Sequence, residues 1–325
     1  MLEVNALPVG LSACSSVFTP HAASAAVQVV RACRRARIAR IVLPDDWQVR
    51  AHQGIDPKQL SNKELLAADL AALARAAKRH GIEVLTITER AKLTGMHRTL
   101  LIRRTSGPWA PNRSNVCMTP TYAVQYASRN KQLLVGASLQ HKQIFVPTFV
   151  ESLPAALVSR TGFVIRKPFD GFSSWGIRRF RSSGISAAGD SSHVWQPWIR
   201  SRCTELGGSK RQFDVRVLTL GGRAIGAVAR VAPAPCSPLL AESILSWLTT
   251  LGELHALRRQ SRSGAHEGVV LSADELARLR QAAECCAAWN AAAARGISET
   301  TARRRLSAYP KKYSEAVRTT GFLEQ

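Results

Sequence analysis

Apolar positions in the first hundred residues recur with two different periods. From Ala22 to Arg37 small and apolar residues predict a helix, and Ile38 to Leu43 is a short apolar run that predicts a strand. Ser61-Asn62-Lys63-Glu64 has the spacing of a capping box, in which serine and glutamate satisfy each other's free backbone donors. Leu66, Leu70, Leu73 and Ala77 continue at helical spacing, and Gly81 is a ready stop. Strands are then expected at Ile82 to Ile87 and at Leu100 to Arg103. Strand, helix, strand predicts parallel pairing in a small α/β domain.

The middle of the chain changes character. Ser106 to Thr121, with three prolines, is expected as a loop or linker, followed by a helix from Tyr122 to Leu134 and a short one at Leu153 to Val158. Phe163-Val164-Ile165 and Gly176 to Arg181 predict strands, as does His193 to Arg200 with an interruption at Gln196-Pro197. Gln212 to Arg230 alternates on both sides of Gly221-Gly222, a hairpin signal. Pro233, Pro235 and Pro238 mark a break, Ser243 to Leu257 is expected to be helical, and Arg258 to Gly268 to be a basic loop. Ser272-Ala273-Asp274-Glu275 is a second capping box, opening a long Ala/Leu-rich helix. The expected division is an α/β domain over 1–120, a core over 121–290 and a basic helical tail over 291–325.

Composition narrows the partners. Lys and Arg number 45 against 22 acidic residues, a net charge of +23, which favours nucleotides, nucleic acid or another anionic partner without choosing among them. Hydrophobic residues make up 46% of the chain, which argues for packed cores and against global disorder. Seven cysteines in odd number with no C-x-x-C pair predict neither a disulfide framework nor a zinc ribbon, so a reducing, cytoplasmic setting is expected. No apolar run reaches membrane-spanning length, and the eight histidines show no metal-ligand spacing, so no membrane partner is expected.

The candidate chemistry lies in Gly162 to Phe180, GFVIRKPFDGFSSWGIRRF. A strand runs into Lys167-Pro168 and then into a turn-rich segment with Gly171, Ser173, Ser174 and Gly176. Glycines let backbone N–H groups approach an anion, serines add hydroxyl donors and the lysine adds a point charge, so a triphosphate suits the segment. The same pattern also describes a hairpin with a basic edge. In the later hairpin Asp214 and Arg216 lie two apart and share one strand face, and Arg230 ends the partner strand.

In this order, these blocks resemble the ATP-grasp family, in its glutathione-synthetase-like and ribosomal-protein-glutamate-ligase-like branch, from about Asn130 to Arg230. The resemblance implies an ATP-grasp-like core and an ATP-dependent carboxylate–amine ligase, with small-molecule or peptide substrates. It implies that Lys131 and Lys167 hold nucleotide phosphates, that Gly171, Ser173, Ser174 and Gly176 cover them, and that Gln196, Trp198 and Ile199 place the adenine. It assigns Arg216 and Arg230 to the acyl-phosphate, with Asp214 orienting an arginine. In that family carboxylates on two closing strands hold Mg2+, and neither their Glu-x-Asn pattern nor a strand pair is expected after Arg230. Leu2-Glu3-Val4-Asn5 looks like that closing strand at the opposite end, so Glu3 and Asn5 are candidates; permutation, a domain remnant and coincidence each produce such a pattern.

Ala291 to Leu306 resembles a helix-turn-helix, with Gly296 at the turn, Ile297 as the apolar plug, Ser298 as N-cap, and Thr300, Thr301, Arg303, Arg304 and Arg305 on a second helix. Three functions therefore stand: a ligase, a non-catalytic ATP-binding protein, and a basic nucleic-acid-binding protein that uses its tail.

Overall fold

A parallel sheet organises the first part of the chain. The structure is a computed structural model that describes residues 10–18, 23–44, 62–87, 93, 95–103, 116–130, 133, 163–168, 178–181, 193–197, 202–232, 253–260 and 269–308. Strands β1 (Arg40–Pro44), β2 (Glu83–Ile87), β3 (Thr99–Ile102) and β4 (Val116–Thr119) lie in the order β2-β1-β3-β4 and all run parallel. Helices α1 (Ala25–Arg35) and α2 (Asn62–Lys78) pack on one another. Ala26, Val29, Val30 and Cys33 of α1 and Leu73 and Ala77 of α2 are buried, as are Ile41, Val42 and Leu101 of the sheet. The core face of α1 is thus the stripe its small and apolar spacing predicts.

Both helices stop in the same way. Beyond α1, Ile38 N–H donates to Cys33 O at 2.9 Å and Arg37 N–H to Arg34 O at 3.0 Å, a Schellman motif with buried Cys33 and Ile38 as its apolar pair. Beyond α2, Ile82 N–H reaches back to Ala77 O at 3.3 Å across Gly81, whose φ is +63°. Asp69, fully buried on α2, accepts from Gly10 N–H at 2.9 Å, from Ser12 N–H at 2.7 Å and from the Ser12 hydroxyl at 2.8 Å, fastening residues 10–14 to the helix.

The expected loop from Ser106 to Thr121 contains β4, so that reading is corrected. Val116–Thr119 pairs with β3, and the chain turns at a cis Thr119–Pro120 bond into α3 (Tyr122–Arg129). Helix α3 is shorter than expected because Asn130 interrupts it: its Oδ1 accepts Leu133 N–H at 3.2 Å, as the cap of a new turn.

The later strands are antiparallel except at one edge. β5 (Phe163–Pro168), β6 (Arg178–Arg181) and β7 (His193–Pro197) form a three-stranded sheet in the order β6-β5-β7. β8 (Cys203–Leu206), β9 (Ser209–Leu220), β10 (Arg223–Val231), β11 (Glu253–Arg259) and β12 (Val269–Leu271) form a five-stranded sheet in sequence order, with β12 parallel to β11. Two earlier expectations fail here. Gln196-Pro197 continues β7 instead of interrupting it, and a strand pair does follow Arg230. Glu253–Arg259 is a strand where the end of a helix and the start of a loop were expected; Leu254 and Leu257, three apart, have helical spacing, and the open edge of β10 decides in favour of pairing.

Helix α4 (Ala273–Ala294) begins with the capping box read from the sequence: Glu275 N–H donates to Ser272 Oγ at 3.2 Å, and Ser272 N–H to Glu275 Oε2 at 2.7 Å. A last helix, α5, covers 299–308, with Thr301 N–H donating to Ser298 Oγ at 3.2 Å. The chain divides into two units, one formed by Met1–Asn5 with Ala127–Gly296, the other by Ala6–Tyr126 with Ile297–Gln325. The fold class is α/β, as expected: in sequence a parallel four-stranded sheet with its helices comes first, antiparallel sheets follow, and helices close the described chain. Among the described residues no helix is long and apolar enough to cross a membrane.

Candidate functional site

The β9–β10 hairpin places the expected arginines by means of one extra residue. Gly221 and Gly222 have φ of +56° and +80°, the left-handed pair a two-residue turn requires to match strand twist. From that turn Leu220 pairs with Arg223 and Thr219 with Ala224, but the register then slips, and Gly226 pairs with Leu218. Ile225 is thus a bulge. Without it Arg230 would lie opposite Phe213; with it Arg230 lies opposite Asp214, and Val228 opposite Arg216. Since one step of register exchanges the faces of a strand, the bulge decides that Asp214, Arg216 and Arg230 share a face. Glu284 on α4 holds the bulge, its Oε1 accepting Ala224 N–H at 3.1 Å while also taking Arg280 Nε at 3.1 Å.

Asp214 orients an arginine, and that arginine is Arg230. Arg230 Nε donates to Asp214 Oδ1 at 3.2 Å and Oδ2 at 3.1 Å, and Nη2 also donates to Oδ2. The Arg230 side chain is 7% exposed and that of Asp214 20%, so the pair is largely removed from water and the guanidinium plane is fixed. Arg216, two residues along the same face, is exposed. Two arginines on one strand face, one of them fixed in plane, fit a phosphate-type anion.

In the three-stranded sheet Lys167 pairs with Val194, and Gln196 with Ile165. Both fall at register positions of one parity, alternating with Val164 and Trp195, which are 0% and 5% exposed. Trp195 packs against Phe180 with ring centroids 5.8 Å apart, so the other parity is the core side. Lys131, Gly171, Ser173, Ser174, Gly176, Trp198, Ile199, Glu3 and Asn5 lie outside the described residues.

Several described carboxylates of this region already have partners. Asp214 is engaged by Arg230, Glu275 by the capping box and Arg202, and Glu284 by the bulge. On β11, Leu254 and not Glu253 is the register partner of Arg230. Among the described residues no group of three His, Cys, Asp or Glu side chains converges.

One face of the tail helix packs on α3, while Thr300, Arg303 and Arg304 are exposed. Glu299 accepts from the first two backbone N–H groups of α3, Tyr122 at 2.9 Å and Ala123 at 3.1 Å, so one carboxylate caps that helix from far along the chain. Arg305 Nη1 donates to the Tyr126 hydroxyl at 2.6 Å, and Ala302 and Leu306 are fully buried. Helical spacing and the Ser298 cap were legible; that the helix's first acid caps another helix was not. Arg103, also fully buried, donates to Pro120 O at 3.1 Å and Gln125 Oε1 at 2.6 Å and lies over the Tyr122 ring at 3.6 Å.

No protein-family profile and no curated protein matches this sequence. Several solved structures resemble it, among them the following two. One is a candidate gamma-glutamylcysteine synthetase from Methylobacillus flagellatus KT, 12% identical over 88% of this chain and 83% of that one, with a TM-score of 0.44. The other is the ATP-grasp ligase PsnB complexed with minimal precursor, 13% identical over 78% of this chain and 88% of that one, with a TM-score of 0.21. Likenesses this distant assign neither family nor activity.

Proposed function

We propose that this chain is an ATP-dependent ligase that joins a carboxylate to an amine through an acyl-phosphate. The observation that supports this most is the Asp214–Arg230 pair with Arg216 beside it, on a hairpin that follows a sheet carrying Lys167 and Gln196. A carboxylate oxygen attacks the terminal phosphorus of ATP, the bond to ADP breaks, and an acyl-phosphate forms. The amine then adds to the acyl carbon, loses a proton, and expels inorganic phosphate. Arg230, its plane fixed by Asp214, and the exposed Arg216 would hold the phosphoryl oxygens as charge builds on them. Lys167 and Lys131 would bind the nucleotide phosphates, with Gly171, Ser173, Ser174 and Gly176 closing over them and Gln196, Trp198 and Ile199 along the adenine.

Thermal stabilisation by ATP, with and without Mg2+, tests the nucleotide site, and ADP release in the presence of amino-acid and acidic-peptide pools tests the ligation. Lys167→Ala should abolish the ATP-dependent shift, whereas Arg216→Ala should keep the shift and lose substrate-dependent ADP release. An unshifted wild-type protein at millimolar ATP rejects the proposal. A shift without ADP release under any pool leaves only the nucleotide-binding half.

A further inference from the structure

The amino-terminal edge of the parallel sheet gathers cations from four places in the sequence. Helices α1 and α2 end at this edge, where β1, β2 and β3 begin in register at Arg40, Glu83 and Thr99. It carries Arg34 and Arg35 from the end of α1, Arg37 beyond it, Lys78 and Arg79 from the end of α2, and Arg98 before β3, and all six are exposed. Among its described residues Glu83 is the one acid, and it is taken by Arg40 Nε at 2.5 Å.

Cations at helix ends have an ordinary reason, since they face the negative end of the helix dipole, and this accounts for Arg34, Arg35 and Lys78. It does not account for Arg37 and Arg98. Both are in the left-handed region, at φ +56° and +49°, where a β-carbon is disfavoured and glycine is the unstrained choice. The molecule holds its own control. The same helix stop after α2 has Gly81 at the position that Arg37 occupies after α1. What the stop needs from Arg37 is backbone: its N–H binds Arg34 O, and its O accepts Arg98 Nε at 2.6 Å. Among the described residues no hydrogen bond or ion pair engages the Arg37 guanidinium. Arg98 serves the fold both through its carbonyl, which accepts Ala39 N–H at 2.8 Å and Arg40 N–H at 3.3 Å, and through its Nε on Arg37 O, while leaving the rest of its guanidinium exposed. The strain at Arg37 is repaid by no hydrogen bond of its side chain among the described residues, which points to a role outside the fold.

We propose that this edge binds the phosphate backbone of a nucleic acid, independently of the ligase reading and of the tail helix. The patch is dominated by arginine, whose planar fork suits phosphate oxygens. Its described residues include no exposed aromatic or large aliphatic side chain of the kind that anchors a protein partner or enters a bilayer. A surface of charge without apolar anchors suits the densest common polyanion, and the net charge of +23 supplies the long-range attraction.

The test is fluorescence anisotropy of the full chain with labelled single-stranded and duplex oligonucleotides between 50 and 200 mM NaCl, for the wild type, Arg37→Gly, Arg98→Gly, the double variant and Arg37→Lys. Each phosphate contact contributes roughly 0.9 to the slope of log affinity against log salt on a duplex and about 0.7 on a single strand. The double variant should therefore flatten the slope by about 1.8 or about 1.4, while Arg37→Lys keeps most of it. Arg37→Gly should melt at the same temperature or higher, since glycine relieves the strained position. An unchanged slope in the double variant overturns the proposal, as does a lowered melting temperature in Arg37→Gly, which would make the residue structural. Equal or tighter binding to polyglutamate or to phosphatidylserine vesicles at the same salt overturns the choice of nucleic acid. Any ATP-dependent thermal shift of the wild type should persist in the double variant, so the two readings fail separately.

Discussion

Asp214→Ala tests how much the candidate site depends on a charge pair drawn out of water. The substitution deletes the carboxylate that receives three hydrogen bonds from Arg230 and leaves a guanidinium whose side chain is 7% exposed. Removing one partner of a buried pair costs about 3–5 kcal/mol, and the 20% exposure of Asp214 argues for the lower end, about 3 kcal/mol. Five of the seven tryptophans (Trp175, Trp195, Trp198, Trp247 and Trp289) belong to the unit that contains the hairpin, so fluorescence-detected urea unfolding reports mainly on it. With a denaturant slope of about 2 kcal/mol per molar, the midpoint should fall by about 1.5 M. The reverse change, Arg230→Met, should cost less, about 1–2 kcal/mol, because it keeps an apolar stem and leaves the more exposed member behind. A midpoint shift below about 0.3 M for Asp214→Ala at unchanged slope, or a larger loss for Arg230→Met, refutes the reasoning.

Three further outcomes are expected. Glu299→Ala should cost about 1–2 kcal/mol and raise hydrogen exchange at the Tyr122 and Ala123 amides it now accepts from; unchanged exchange there removes its capping role. The Glu275 carboxyl is held below its usual range, first by the Ser272 backbone N–H; its contribution to stability is therefore present above about pH 4.5 and lost as the pH falls further, an acid dependence that Glu275→Gln should erase in circular-dichroism titrations. Burial pushes the Cys33 and Cys286 thiols up to about 11, so folding keeps them protonated, and stability should fall as the pH rises from about 9 toward 11, with Cys33→Ala reducing the fall.

The sequence carried the periodic elements well and the non-local ones poorly. The stripe of α1, the Ser272 box and the Gly221-Gly222 turn are local patterns, and each appears where spacing puts it. The face shared by Asp214, Arg216 and Arg230 was anticipated from alternation alone, yet it exists because Ile225 adds a residue and Glu284 takes the amide beside it. Nothing local in Ala224-Ile225-Gly226 announces that partner. β11 was misread because Leu254 and Leu257 are spaced as on a helix, and only the open edge of β10 overrides that spacing. Glu299 reads as a solvent-facing helix residue until α3 is placed beside it.

The junction of Glu299 and Arg305 with α3 has a consequence for biosynthesis. A ribosome releases the parallel sheet early, yet the last helix of that same unit emerges only after the whole antiparallel region has been made. Folding in the order of synthesis would therefore complete the later-made unit first, with the sheet domain waiting on its final segment. Chains cut short near Gly296 would keep every described strand and still leave α3 without the acid that caps it.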